Sequence, residues 1–317
     1  MRRAVPAALI GLGAFLLALA VLLPTLVVPR LEKAPLDVYS INVATGTGDY
    51  LNPETLEFAT GEDITVTRVT RGDVEASGDD VAVYEQSQTT EVDAIDAPLN
   101  VIREKIVLNR NSGIGTGGRG DRPSHEEAYT VKLPFNTDEG SYLVHDATLG
   151  SAYPVEYVGD TDLQGTEVME FRSGPTEPEV VRQQGVPGAL LGAPDVDSIF
   201  AEETYENLGR VIYVEPRTGA IVGGSSHPRR AFRPSLGTAG DETAIFDAEL
   251  VTTEESTAEL LANATDAADQ LTLVGRTLPI VLGLLGLLAV VAGLLVPRRR
   301  GRRELDDERV EVYEEQY

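Results

Sequence analysis

The residues that could do chemistry are few, and their spacing decides what they could do. Gly113-x-Gly115-x-x-Gly118 has the spacing of a dinucleotide fingerprint after a strand. A phosphate site needs a helix N-terminus next, however, and Asp121-Arg122-Pro123 predicts a loop. The tripeptide Arg119-Gly120-Asp121 in that loop matches an adhesion motif by three residues only. Asp160-x-Asp162-x-Gln164-Gly165 imitates the first half of a calcium loop, but Phe171 stands at position twelve, and strands are expected on both sides. His125, His145 and His227 are separated by intervals that fit no metal motif and read as loop residues. Ser225 and Ser226 follow Gly223-Gly224, but His227 replaces the glycine that a nucleophile elbow requires. No acid–base pair or nucleophile constellation emerges, so no catalytic residue, metal or cofactor is assigned, and a non-enzymatic protein is expected.

The elements that would position such residues divide the chain sharply. Residues 4–28 form an uncharged apolar run after Arg2 and Arg3, and a helix of that length rises about 37 Å against a hydrocarbon core of about 30 Å. Ala18-Leu19-Ala20 resembles a signal-cleavage site, but the run stays apolar through Val28, so a retained anchor is expected. Residues 277–296 form a second span, followed at once by Arg298, Arg299, Arg300, Arg302 and Arg303. The positive-inside rule then puts both termini, including the tail 297–317, in the cytoplasm and the segment between the spans outside. Gly283, Gly286 and Gly293 would allow the two spans to pack closely.

Arg30 to Arg276 holds 18 basic against 44 acidic residues, and so carries the acidity of a chain whose formal charge is −25. Such a surface repels nucleic acid and keeps an exported domain soluble. There is no cysteine, which excludes thiolate chemistry and fits a bacterial exported domain without disulfides.

Within this segment, residues 64–69, 81–92, 101–108, 128–133, 154–158, 166–172, 211–214, 220–222 and 244–251 are enriched in β-branched residues with partial alternation. They predict a mainly β extracytoplasmic domain over 30–251, an antiparallel sheet or barrel-like assembly with a transmembrane helix at each end of the chain. Pro216-Arg217-Thr218-Gly219 reads as a hairpin turn, and Gly159-Asp160 as a second. Thr252-x-x-Glu255 fits a capping box opening a juxtamembrane helix over 252–276, with a break near Gly275. Val186 to Ala193 is a short apolar loop among prolines; it either packs over the core or presents Val186, Leu190 and Leu191 as a contact for a ligand.

Two blocks carry a resemblance. Val131-Lys132-Leu133-Pro134-Phe135-Asn136-Thr137, followed by Tyr142, Asp146 and Tyr157-Val158-Gly159, resembles one signature of an actinobacterial membrane family known as the porin A family. Tyr205-Glu206-Asn207, followed by Val214-Glu215-Pro216-Arg217-Thr218-Gly219, resembles another. The resemblance implies a cell-envelope membrane protein of a GC-rich Gram-positive bacterium and supplies no catalytic residues. A second similarity, to class B scavenger receptors, rests on a helix at each end and a hairpin like Val214 to Gly219, and implies an apolar tunnel that accepts lipid. The leading expectation is an outer domain that binds or transfers a lipid or other hydrophobic ligand near the membrane, with membrane lipid and envelope proteins as partners. A scaffold and a channel subunit are the competing readings.

Overall fold

A computed structural model describes residues 4–118, 126–235 and 240–295. Arg119-Gly120-Asp121, His125, the basic residues at both ends and the tail fall outside the described residues. The chain divides into two compact units, Met1–Val28 with Leu273–Tyr317, and Pro29–Thr272.

The first unit is a pair of apolar helices, α1 (Ala4–Leu22) and a later helix over Leu278–Leu295, each flanked by a five-residue π-helical stretch, Leu23–Val27 and Leu273–Thr277. Pro24 removes one backbone donor from the first of these, and such wide turns are the usual response to a broken ladder. The helices run antiparallel. A Cβ added at Gly13 would lie 2.6 Å from the carbonyl oxygen of Gly286, and one at Gly293 would lie 2.8 Å from Ile10. Leu17 faces Gly286, and Ala20 faces Gly283. Residues 10, 13, 17 and 20 alternate three and four apart, the spacing of a coiled-coil seam, and Gly13, Gly286 and Gly293 let the two backbones approach closely along it. The large side chains outside the seam, Phe15, Leu284 and Leu288 among them, are exposed, as they are on a helix that faces lipid.

The second unit is a curled antiparallel sheet. In chain order its strands are β1 (Tyr39–Leu51), β2 (Phe58–Gly72), β3 (Val81–Val92), β4 (Asn100–Asn109), β5 (Ser141–Asp146), β6 (Ser151–Leu163), β7 (Thr166–Ser173), β8 (Glu179–Val186), β9 (Ile199–Val214), β10 (Ile221–Pro234) and β11 (Thr243–Thr252). Ten of them are hydrogen-bonded in the order β4-β3-β2-β1-β11-β10-β9-β7-β6-β5, and β8 adds to β9. The two ends of this path are joined by backbone. Thr116 N–H donates to Val107 of β4, Gly115 N–H donates to Ala128, and Tyr129 N–H donates to Leu143 of β5. The curl is thereby closed between β4 and β5, and β8 remains an edge strand paired to β9.

Expectation and structure differ at several places. Residues 128–133 form no strand; they make single bridges, Tyr129 to Ile114 and Val144 and Lys132 to Ala220. Glu127 at φ 63 and Pro134 prevent a continuous ladder there. The β6–β7 hairpin turns at Gln164-Gly165, whose φ values of 53 and 85 are those of a two-residue type I′ turn. Gly159 instead marks a register shift inside β6. The cap of the juxtamembrane helix is Thr253, whose hydroxyl accepts from Ser256 N–H, while Thr252 ends β11.

That helix, Glu254–Thr272, presents Leu261 and Ala264 to Val168 and Val222 of the sheet. Inside the curl, apolar clusters occupy separate regions. One joins Tyr50, Ile64, Val92, Phe246 and Leu250, and another joins Ala82, Tyr84, Ile106 and Leu108. Between them the inward-facing positions of β2 and β3 become polar.

Candidate functional site

Strand β3 shows how the sequence builds this polar belt. Its even-numbered residues face inward: Ala82 and Tyr84 belong to one apolar cluster, Val92 to the other, and Gln86, Gln88 and Thr90 lie between. The register sets Thr70 of β2 opposite Gln86 and Arg68 opposite Gln88, with Asn42 of β1 on the other side of Arg68. Gln86 Nε2 donates to Thr70 Oγ1 at 2.9 Å, and an Arg68 nitrogen donates to Gln88 Oε1 at 2.9 Å.

These residues form one wall of a cavity of about 180 Å³ inside the β domain. The opposite wall comes from β5, β6, β9 and β10 and centres on Asp146. Its carboxylate pairs with Arg210, accepts from Tyr205 Oη at 3.1 Å, and accepts from the N–H groups of Thr148 and Leu149 at 2.8 and 3.2 Å. Burial pushes the Asp146 carboxyl up, but Arg210 and those two N–H groups outweigh it and hold the pKa below its usual value. Arg210 also donates to Tyr153 Oη, and its guanidinium lies 4.5 Å from the Tyr153 ring centroid. Burial works against the charge on Arg210, but Tyr153, Asp146 and Tyr205 more than restore it. Tyr205 is held well above the phenolic range by burial and by the charge of Asp146. Arg230, on the same side, pairs with Glu203.

Arg68 is different. Its side chain is exposed and lines the cavity. Desolvation by the surrounding domain lowers its pKa and the nearby charge of Arg210 lowers it further, against the opposing pull of Asp146, Tyr153 and Glu104. Among the described residues no carboxylate lies within ion-pair distance of it; its hydrogen-bond partner is the neutral amide of Gln88.

A second polar cluster is made by the two sequence blocks that carry the family resemblance. Leu133 N–H donates to Gly219, Asn136 N–H to Arg217 and Thr137 N–H to Pro216, so the loop after residue 131 is laced to the β9–β10 turn. Arg217 pairs with Glu32 at 2.6 Å, and Glu215 accepts from Thr218 N–H at 2.7 Å. Lys132 is buried here with its Nζ 3.3 Å from the Phe135 ring centroid. Burial lowers its pKa to about 7, against the opposing pull of Glu32 and Glu215. A lysine whose folded pKa lies below its unfolded value of 10.5 takes up protons on unfolding between those limits, so stability should rise as pH climbs from about 7 to about 10. Lys132→Met should remove that slope and raise the melting temperature at pH 7 by roughly 2–4 °C, read by thermal melts across this range. An unchanged slope in the variant would refute the assignment.

The residues singled out from sequence are dispersed. His145 and His227 lie on strands. His145, in the cavity wall, has its Nε2 3.0 Å from Glu104 of β4, and His227 Nε2 is 2.7 Å from Asp247 on β11. Ser225 and Ser226 line the cavity from β10. Asp160 and Asp162 lie in β6, where Tyr157 Oη donates to the first and Gly165 N–H to the second. Val186 and Leu191 are buried with Leu51, Ile199, Ala201 and Phe232, and Leu190 is packed at the edge of that cluster. The cavity wall itself carries Arg68, Gln86, Asp146 and Arg210, and is not the apolar tunnel implied by the similarity to scavenger receptors. Arg68, Gln86 and Arg210 escaped the sequence reading, and Asp146 entered it only through the family resemblance. Their signal was the change along β3 from apolar to polar at every second position.

Comparison with known proteins is consistent from end to end. A family profile described as Porin PorA matches residues 5–295. A protein named Porin PorA from Corynebacterium resistens is 24% identical, over 96% of this chain and 98% of its own length. Another of that name, from Corynebacterium amycolatum, is 23% identical over 93% of this chain and 99% of its own. A solved putative exported protein with a YmcC-like fold from Bacteroides fragilis aligns at 9% identity and a TM-score of 0.19, covering 69% of this chain and 96% of that one, and supports no argument about fold.

Proposed function

Because the chain belongs to the Porin PorA family, we propose that it is a non-enzymatic, channel-associated protein of the cell-envelope membrane, with both helices crossing the bilayer, both termini cytoplasmic and the β domain outside. The observation that carries this reading is the antiparallel helix pair, closed on the Gly13–Gly286 seam with its large apolar side chains turned outward. Antiparallel packing suits two spans with both termini on one side, and the basic residues at 2–3 and 298–303 favour the cytoplasmic side. The surrounding partners are membrane lipid and other envelope proteins; the acidic domain disfavours nucleic acid.

The sheet does not serve as a lipid-facing barrel in this reading. Asp63, Glu85, Glu91, Arg103, Glu156 and Glu167 are exposed on its strands, and charged residues on a lipid-facing surface are destabilising. The helix pair has no ionisable side chain between residues 4 and 28 or 277 and 295, and two helices enclose no lumen. Conduction therefore requires assembly of several copies, or assembly with another envelope protein. Purified full-length protein in planar bilayers should give discrete conductance steps, lost in Gly286→Leu, whose side chain would force the helices apart. Monodisperse protein that gives no steps above a detergent blank would overturn conduction by this chain alone. The topology is tested on the same cysteine-free background: Ser141→Cys should label in intact cells, and Glu304→Cys only after permeabilisation.

A further inference from the structure

The β-domain cavity contains more positive charge than its own side chains neutralise by direct contact. Arg210 is held by Asp146, and Arg230 by Glu203. Arg68 has the amide of Gln88 and, among the described residues, no anion. A guanidinium does not shed its proton under ordinary conditions, so a charge that faces the cavity with no ion-pair partner is met there by water or by a ligand. The Nε atoms of Arg210 and Arg230 are also buried with no hydrogen-bond partner among the described residues. Arginines on three strands, β2, β9 and β10, thus line one space from opposite walls.

The geometry points to an oxyanion site: the cavity takes a small ligand bearing a carboxylate or phosphate group, which Arg68 binds with its planar fork while Arg210 and Arg230 add charge from the opposite wall. A fork of parallel N–H groups matches two oxygens of either group, which a point charge such as lysine does not. The volume, about 180 Å³, is that of roughly six water molecules at about 30 Å³ each, enough for the oxyanion and a few attached atoms. Gln86, Asn42 and Ser226 supply neutral hydrogen-bonding groups around it, and Val66 and Leu250 supply apolar surface. A strongly acidic exterior makes this choice of interior charge the more specific, because a free anion gains nothing at the surface. The site concerns the β domain alone and does not depend on conduction.

The test uses the full chain in neutral detergent, titrated at constant ionic strength against chloride with sodium phosphate, sodium acetate and dihexanoyl phosphatidic acid, reading melting temperature and heat of binding. At least one of the three should stabilise the wild type saturably, and Arg68→Gln should weaken that ligand by roughly tenfold or more, the loss of one charge-assisted pair. Arg68→Lys, which keeps the charge without the fork, should fall between them. Free phosphate or acetate binding as tightly as the phosphatidic acid identifies a soluble anion; a clear preference for the latter identifies a lipid headgroup, and either result supports the site. Without ligand, Arg68→Gln should melt no lower than the wild type, because it removes a charge that has no ion-pair partner among the described residues and strands none. Equal responses of wild type and Arg68→Gln, or no response of the wild type to any of the three, would overturn the proposal. If Arg68→Gln does not fold, the same comparison with Arg68→Lys decides it.

Discussion

Asp146→Ala should destabilise the β domain by about 3–5 kcal/mol, the cost of breaking a buried ion pair on one side only. The carboxylate has four partners in the structure: Arg210, Tyr205 Oη and the N–H groups of Thr148 and Leu149. Its side chain is 3% exposed and that of Arg210 16%, so water cannot take over. Removing the whole pair should be milder, and Asp146→Ala combined with Arg210→Met should recover a large part of the loss. Chemical denaturation of the four proteins of this cycle measures both quantities. A single-variant loss below about 1 kcal/mol would show that the pair is dispensable. The same carboxyl gives an acid limit. Its folded pKa lies below the unfolded value of 3.8, so its stabilisation is complete above that value and is lost as pH falls through the lower folded one.

Gly219→Val should cost about 3 kcal/mol or more, and should loosen the loop at residues 131–137 along with the β9–β10 turn. Gly219 has φ 73, a region that a β-branched residue enters only with strain. A Cβ there would also stand 2.2 Å from the carbonyl oxygen of Leu133 and 2.3 Å from that of Pro134. Neither oxygen can yield without disturbing the Leu133 N–H to Gly219 hydrogen bond that ties the two segments together. The expected readout is a lower denaturation midpoint together with new proteolytic cleavage near Lys132. A variant with an unchanged midpoint would show that the turn can open at little cost.

The sequence was most legible where local chemistry governs. Pro216 to Gly219 was recognisable because proline and glycine dictate a turn by themselves, and residues 81–92 because β-branched residues are enriched at both ends of the segment. Strand β1 was illegible for the opposite reason. Gly46 and Gly48 suggest a loop, yet a Cβ at Gly46 would stand 1.7 Å from Glu249 O, so these glycines are where the backbones of β1 and β11 press together. That approach depends on a partner some two hundred residues away. The cavity was hidden likewise: Arg68, Asp146 and Arg210 share no local motif and meet only through the register of the curled sheet. His145 and His227 were misread as loop residues because the strands around them, β5 and the middle of β10, are short on apolar alternation. The helix pair was the reverse case, with composition predicting the spans and Gly286 and Gly293 correctly marking where a neighbour could approach.

The pairing of β1 with β11 has a consequence for how the domain is made. Seven residue pairs, from Ala44–Thr252 to Tyr50–Phe246, join the first strand to the last. As the chain is delivered from its N-terminus, β1 can gain β2 on one side early, but its other side waits with unsatisfied N–H and C=O groups until Thr252 has emerged. The curl therefore closes as one of the last events of biogenesis, and for most of that time the growing domain carries an open strand edge beside the growing sheet.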